Sequence, residues 1–329
     1  MQIDRNKFND NIINNRGFGL ELEFAFKGSE NDDLSWPERR AIKKEALKKA
    51  CDLALEYPHI FRGLRIVHDG STNVAIEIVF PILFDHSYSW EYIENILQVL
   101  KDNNFYVASE NGMHVHISTH KALEIGKFEL SDKSISHQES LIRRYIDSNN
   151  YDTIDFSNGF VAPSNTFKEN TEMEFELVRD IMLRYSLGLD HIQKFLPSSR
   201  RNNNFCYTHN MTESRINSAN SIANITFGKF TAINLEPFIN GTIEFRQALT
   251  TLNINKIIVW IRFLNNLIRY SDEKRLNRIS ENTFNAPNSL RPYLFRSNTR
   301  QELLYTELYN STNSIGIQTS ELMNTFGFA

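Results

Sequence analysis

The chain has 329 residues, of which 41% are hydrophobic and 23% charged, and its formal net charge is -4. This composition is typical of a globular protein, and the small negative charge gives no electrostatic basis for binding nucleic acid or an acidic membrane surface. The two cysteines are too few for a disulfide framework or a cysteine zinc site. No signal core or membrane-length apolar run is present. We therefore expect a cytoplasmic protein.

The first third of the chain predicts two helices and several strands. Residues 1–16 are polar and rich in Asn, so we expect a loosely held lead-in before a strand at 19–24. Ser35 is a typical helix N-cap, Pro37 suits the first helical turn, and apolar residues at helical spacing continue as far as Pro58. The elements expected next are strands at 65–67 and 74–80 around a turn at 69–71, a helix at 89–102, and strands at 105–107 and 111–118.

The remainder of the chain predicts more helices and one further strand pair. Apolar spacing alone predicts helices at 136–148, 171–189 and 212–223. Residues 226–236 and 239–249 alternate like paired strands, and a strongly apolar helix follows through Ile257 and Ile268. We therefore expect one α+β domain over residues 17–275 and a C-terminal extension, residues 276–329, packed on it.

Several expected strands carry functional side chains on one face and apolar side chains on the other, because alternate residues of a strand point to opposite faces. The functional side chains are Glu21 and Glu23 in the first strand, His114, His116 and Ser118 in the histidine strand, and Glu244 and Arg246 near residue 245. Glu77 interrupts another apolar run in the same way. Together these strands predict a sheet whose polar face is a reaction site.

Each pattern also has an ordinary structural explanation. A Glu-x-Glu strand is often the wet face of an antiparallel sheet, and a His-x-His strand is often exposed or hydrogen-bonded in a core. A Glu-x-Arg pair is usually a surface ion pair, Glu77 could lie on a sheet edge, and Arg200 and Arg201 could be solvated loop residues. The occurrence of all these patterns in one chain favours a site.

The sequence lacks the motifs of several common enzymes. It contains no Walker A loop, no Gly-x-Gly-x-x-Gly, no His-Glu-x-x-His and no Gly-x-Ser-x-Gly, which argues against P-loop, Rossmann, zincin and α/β-hydrolase sites. Carboxylates, imidazoles and arginines remain. Such groups suit divalent cations that bridge phosphates, with the arginines binding planar oxyanions.

Seven short motifs occur in a recognisable order over about residues 17–253. They are Gly19-Leu20-Glu21-Leu22-Glu23, Asp69-Gly70-Ser71, Glu77-Ile78-Val79-Phe80-Pro81, Gly112-Met113-His114-Val115-His116, Ser199-Arg200-Arg201, Asn234-Leu235 and Thr242-Ile243-Glu244-Phe245-Arg246. This order resembles the glutamine synthetases and, more closely, the amidoligases, which are carboxylate–amine ligases of the glutamine synthetase/glutamate–cysteine ligase fold. One departure is Thr250-Thr251-Leu252, where amidoligases have Gly-Thr-Leu.

The resemblance implies a bent, mainly antiparallel sheet of the glutamine synthetase catalytic-domain type, packed with helices. It also implies an ATP- and Mg²⁺-dependent ligase, with Mn²⁺ as an alternative cation, that forms an amide through an acyl phosphate. The substrates would be a carboxylate and an amine, supplied by amino acids, a peptide or a protein side chain.

The resemblance assigns roles to individual residues. Glu21, His114 and Glu244 would hold one cation, and Glu23 and Glu77 a second. The nucleotide would contact His116, Ser118, Arg200 and Arg246; catalysis would use His116, Arg200, Arg201 and Arg246; and substrate would contact Asp69, Ser71 and Asn234.

Two other functions fit the same residues. A metal-dependent phosphotransferase or hydrolase would use the cation site without forming an amide, and an inactive ligand-binding module would keep only the fold. The gathered carboxylates should repel one another without a cation. From the sequence, replacing Glu21 or Glu23 by Gln should therefore leave the stability of the metal-free protein unchanged or slightly higher.

Overall fold

A computed structural model of the protein describes residues 16–29, 33–67, 75–120, 140, 143, 153–155, 173–189, 192–193, 196–201 and 203–280. These residues form an open, mainly antiparallel sheet packed with helices, which confirms this part of the expected fold. In these ranges no helix is long and apolar enough to cross a membrane. Nearly all of the expected lead-in and the helix at 136–148, together with most of the C-terminal extension, lie outside the described residues.

The sheet has eight strands. They are β1 (Phe18–Phe26), β2 (Arg65–Val67), β3 (Ile76–Val79), β4 (Phe105–Tyr106), β5 (Gly112–Ser118), β6 (Thr153–Asp155), β7 (Ile233–Asn234) and β8 (Thr242–Leu249). Their order across the sheet is β6-β2-β3-β1-β5-β8-β7, and β4 pairs separately with β1. The strands with the acidic and histidine motifs, β3, β1, β5 and β8, are therefore direct neighbours in the sheet.

Six α-helices and two 3-10 helices accompany the sheet in the described part of the chain. They are α1 (Trp36–Glu56), α2 (Ser87–Asp102), α3 (Phe175–Leu187), α4 (Glu213–Ser218), α5 (Ile222–Ile225), α6 (Ile254–Ser280), and the 3-10 helices Ser198–Arg200 and Glu236–Asn240. Helix α1 begins after Ser35 as expected, and the Ser35 N–H donates to the Glu38 carboxylate at 2.8 Å. This contact satisfies one of the donors left open at a helix start.

The prediction of one helix over residues 212–223 is wrong. The backbone of Ala219 adopts an extended ψ of 144°, which ends α4, and α5 starts only at Ile222. Ile216, before this break, and Ile225, after it, are both buried in the core. The pattern of apolar residues therefore continues although the helix does not. Periodicity therefore located the buried residues but not the interruption between them.

The strand predicted over residues 226–236 is also much shorter than expected. Gly228 has a φ of +96°, in the left-handed region that favours glycine. The Thr231 hydroxyl donates to the Gly228 carbonyl at 2.8 Å and closes a tight turn. Only Ile233–Asn234 then pairs with β8.

The apolar face of the sheet forms the core together with the helices. The Phe18 ring of β1 stacks on Trp90 of α2 with centroids 5.3 Å apart, and the Phe245 ring of β8 lies 5.8 Å from Tyr185 of α3. Helices α2 and α3 thus cover this face. The opposite face is left for the polar side chains.

Helix α6 confirms the strongly apolar helix of the sequence analysis. Ile257, Ile261 and Leu264 are fully buried, and α6 packs against α2 and α3. The Arg262 guanidinium donates to both carboxylate oxygens of Asp85, with the shortest distance 2.8 Å, and fixes α6 to the segment before α2. The helix continues through residue 275, where the domain boundary was expected.

Candidate cation-binding site

The register of the sheet brings six acidic and histidine side chains together on its polar face. Residues directly opposite on neighbouring antiparallel strands point to the same face. Three such pairs occur here, Glu21 with His114, Glu23 with Glu77, and His116 with Glu244. We call these six residues the acid–histidine cluster.

The two imidazoles of the cluster lie between its carboxylates. His114 Nδ1 is 3.2 Å from Glu21 Oε2 and 3.6 Å from Glu244 Oε1, and His114 Nε2 is 3.8 Å from Glu23 Oε1. His116 Nε2 is 3.1 Å from Glu21 Oε1 and 3.9 Å from Glu244 Oε1. Glu21 therefore contacts both histidines.

Two overlapping sets of ligand atoms have the spacing of a cation site. Glu21, Glu77 and His114 form one set and Glu21, His116 and Glu244 the other, with the ligand atoms in each within 4.8 Å of one another. Carboxylate oxygens with imidazole nitrogens suit hard or borderline divalent cations such as Mg²⁺ and Mn²⁺. The resemblance implied one site of Glu21, His114 and Glu244 and a second of Glu23 and Glu77. In the structure Glu21 is common to both sets, Glu77 shares a set with it, and Glu23 belongs to neither.

Gly112 lies beside the cluster, where there is no room for a side chain. A Cβ atom at this position would lie 2.8 Å from His114 Nε2 and 3.1 Å from Arg200 Nη2. The Gly112 N–H donates to the Glu23 carboxylate. The Thr250 hydroxyl donates to the Gly112 carbonyl and accepts from the Glu23 N–H at 3.2 Å. Sequence reasoning missed Thr250, whose only signal was that it stands where the amidoligases have Gly.

Glu244 is held by two of the residues expected at the site. It is buried, and its Oε1 pairs with the Arg246 guanidinium. The Asn234 side-chain amide donates to Glu244 Oε2 at 2.6 Å. Arg246 Nε also donates to the Phe205 carbonyl at 3.4 Å, while its Nη2 has no partner among the described residues. Arg246 thus reaches the edge of the cluster with donors still available.

Arg200 and Arg201 occupy different environments although they are adjacent in sequence. Arg200 is 2% exposed, and its two Nη groups donate to the carbonyls of Glu110 at 3.2 Å and Arg246 at 2.6 Å. These contacts tie the start of β5 to β8 beside Gly112. Arg201 is exposed, and its Nε donates to the Leu196 carbonyl at 2.8 Å.

Of the remaining residues expected at the site, the structure describes Ser118 but not Asp69 or Ser71. Ser118 is buried at the end of β5, where its hydroxyl accepts from the His120 N–H at 3.1 Å. Alternation along β5 puts it on the same face as His116. Asp69 and Ser71 lie outside the described residues.

Electrostatics stabilise the charged pair of Glu21 and His116. Burial alone would raise the pKa of the Glu21 carboxyl, but its contacts with His114 and His116 outweigh burial and lower this pKa below the ordinary 4.5. Burial would lower the pKa of His116, but Glu21 and Glu244 raise it above the ordinary 6.5. In the metal-free protein Glu21 and His116 therefore favour a charged pair, which offsets the repulsion expected between carboxylates at this point of the cluster. This changes the expectation for Glu21→Gln, which now loses a stabilising contact.

The two pKa shifts predict a pH window for the stability of the metal-free protein. The Glu21 contribution is present above pH 4.5 and is lost as pH falls through its lowered folded pKa. The His116 contribution is present below pH 6.5 and is lost as pH rises through its raised folded pKa. We expect the difference in unfolding free energy between wild type and Glu21→Gln, measured in EDTA, to be largest between these values. A difference that grows steadily above pH 7 would contradict the pairing.

The two neighbouring arginines give a matched stability test. Arg200→Ala removes a buried side chain and two hydrogen bonds, and we expect a loss of about 2–4 kcal/mol in unfolding free energy. Arg201→Ala should change stability by no more than about 0.5 kcal/mol, because the side chain is exposed. Urea unfolding of both variants measures this. Equal losses would show that burial does not distinguish the two positions.

Two comparisons with known proteins were without a match. No protein-family model matches the chain, and no curated protein matches it significantly. The resemblance to the amidoligases therefore rests on the ordered motifs themselves. The acidic and histidine residues of these motifs, which lie on β1, β3, β5 and β8, come together in the acid–histidine cluster.

Proposed function

We propose that the protein is an ATP-dependent carboxylate–amine ligase with a sheet of the glutamine synthetase catalytic-domain type. The observation that carries the proposal is the acid–histidine cluster, with Arg246 at its edge, on the polar face of an antiparallel sheet. A carboxylate is a poor electrophile, so joining it to an amine requires prior activation. A site for this reaction must bind several negatively charged groups at once.

The donor set of the cluster fits the cations that such a reaction needs. Three carboxylates, those of Glu21, Glu77 and Glu244, and the imidazoles of His114 and His116 would hold Mg²⁺, or Mn²⁺ in its place, with Glu21 shared between two positions. Bound cations would neutralise phosphate oxygens and lower the cost of charge that develops during phosphoryl transfer. Asn234 and Arg246 fix the orientation of Glu244, so the ligand oxygens are positioned before substrate binds.

The proposed reaction has two steps. A carboxylate oxygen of the first substrate attacks the γ-phosphorus of ATP, and ADP leaves. The amine nitrogen of the second substrate then attacks the acyl phosphate carbon, phosphate leaves, and the nitrogen gives up a proton to it. Arg246 would bind the transferred phosphoryl group through Nη2, which has no partner among the residues that the structure describes. Arg200, which is buried behind Gly112, would position β5 and β8 and contribute a nearby positive charge.

Stoichiometry tests the proposal against its alternatives. The protein is incubated with MgATP and a panel of amines and carboxylates, and ADP and product mass are followed together. A ligase releases ADP only when both an amine and a carboxylate are present, with one amide formed for each ADP. ADP release with neither substrate would support a hydrolase, and nucleotide binding without any turnover would support an inactive binding module.

A further inference from the structure

A second concave site lies beside the acid–histidine cluster. It is a cavity of about 420 Å³, within the range of small-molecule pockets. Its walls are mainly apolar and come from the ends of β5 and β8, the segment before the Ser198–Arg200 helix, and the first turns of α6. The apolar lining includes Met113, Leu196, Ala248, Leu252 and Trp260.

The cavity and the cluster share part of their structure. Thr250 lines the cavity, and its hydroxyl also contacts Gly112 and the Glu23 backbone. Pro197 lines the cavity directly before the helix that carries Arg200. The two sites are therefore adjacent, although none of the six cluster residues lines the cavity.

One charged group gives the cavity its chemical character. Lys256 is the one charged residue in the lining, and it forms no ion pair with any residue that the structure describes. The other polar side chains of the lining are the hydroxyl groups of Thr250 and Thr251. Among the described residues, the lining thus offers one cation and no carboxylate.

We propose that this cavity binds small organic carboxylates that have an aromatic or branched aliphatic body. The apolar walls would cover the body, while Lys256 would bind the carboxylate. This proposal goes beyond the ligase function and does not depend on it, because none of the cavity groups belongs to the cation site. The positive charge of Lys256 favours a carboxylate, and the apolar walls favour an apolar body.

Calorimetric titration with 4-phenylbutyrate, in EDTA and without nucleotide, tests the proposal. Two matched compounds separate its parts, since 4-phenylbutyramide lacks the charge and butyrate lacks the ring. We expect 4-phenylbutyrate to bind at least about tenfold more tightly than either compound. Fluorescence of the protein should change on binding, because Trp260 lines the cavity whereas Trp36 is exposed and Trp90 lies in the core.

Variants assign the binding to this cavity. Lys256→Gln should weaken 4-phenylbutyrate about tenfold and leave the amide unaffected. Ala248→Ile, which fills the cavity, should weaken both compounds. Lys48→Gln, an exposed lysine on α1, is the charge-matched control and should bind as wild type. Thermal unfolding establishes that each variant is folded. The proposal is overturned if wild type binds no 4-phenylbutyrate at millimolar concentration, or binds acid and amide equally.

Discussion

Arg246→Lys should lower ATP-dependent turnover by about 10²-fold or more while the protein stays folded. The Arg246 guanidinium pairs with Glu244 through Nη1 and donates to the Phe205 carbonyl through Nε. We propose that its Nη2 binds a substrate oxygen. A lysine ammonium is a point charge and cannot serve all three directions. The substitution therefore removes either the orientation of Glu244 or the contact with the phosphoryl group.

The measurement is steady-state ADP formation, with thermal unfolding of the same preparation. Arg40→Lys is the matched control, because Arg40 is exposed on α1 and has no role in the site. Near-normal turnover of Arg246→Lys would show that the Glu244–Arg246 contact is only a structural ion pair.

Glu21→Gln should abolish both the rise in melting temperature on adding Mg²⁺ and the ATP-dependent turnover. Glu21 belongs to both sets of potential ligand atoms, so one substitution removes a carboxylate from each. Glutamine keeps the size and can still hydrogen-bond, but it has no charge with which to bind a divalent cation. Glu77→Gln changes only one set and should weaken the response to Mg²⁺ without removing it.

The comparison is made by melting curves with and without Mg²⁺, together with single-turnover ADP formation. Glu45→Gln, an exposed glutamate on α1, is the control for loss of one negative charge. A fully active Glu21→Gln variant with a wild-type response to Mg²⁺ would refute the cation-site assignment.

The residues that share the polar face could be predicted from the sequence, but their distances could not. Alternation is a local property, so the sequence placed His114 and His116 on one face of a strand. Register depends on pairing between segments far apart in the chain, and it determines that His114 lies opposite Glu21. For this reason the sequence predicted carboxylate repulsion, whereas the structure places imidazoles between the carboxylates.

Adjacent residues of the same type also differ for reasons that the sequence does not contain. Arg200 and Arg201 have the same charge, yet only the first is buried, because the Ser198–Arg200 helix directs it towards Gly112. The role of Thr250 depends in the same way on a contact with Gly112, which lies 138 residues earlier in the chain. Motif order predicts the participants in a site, and long-range packing decides which of them support the others.

The most direct test of the cation site is the melting temperature in MgATP. Binding at 100 times Kd stabilises a folded protein by about 2.7 kcal/mol, which corresponds to a shift of about 5–10 °C for a domain of roughly 150–250 residues. We expect this shift with millimolar MgATP, its loss when excess EDTA is present with ATP, and its absence in Glu21→Gln. No shift in MgATP would contradict the nucleotide-binding function, and an equal shift in EDTA would show that the acid–histidine cluster binds no cation.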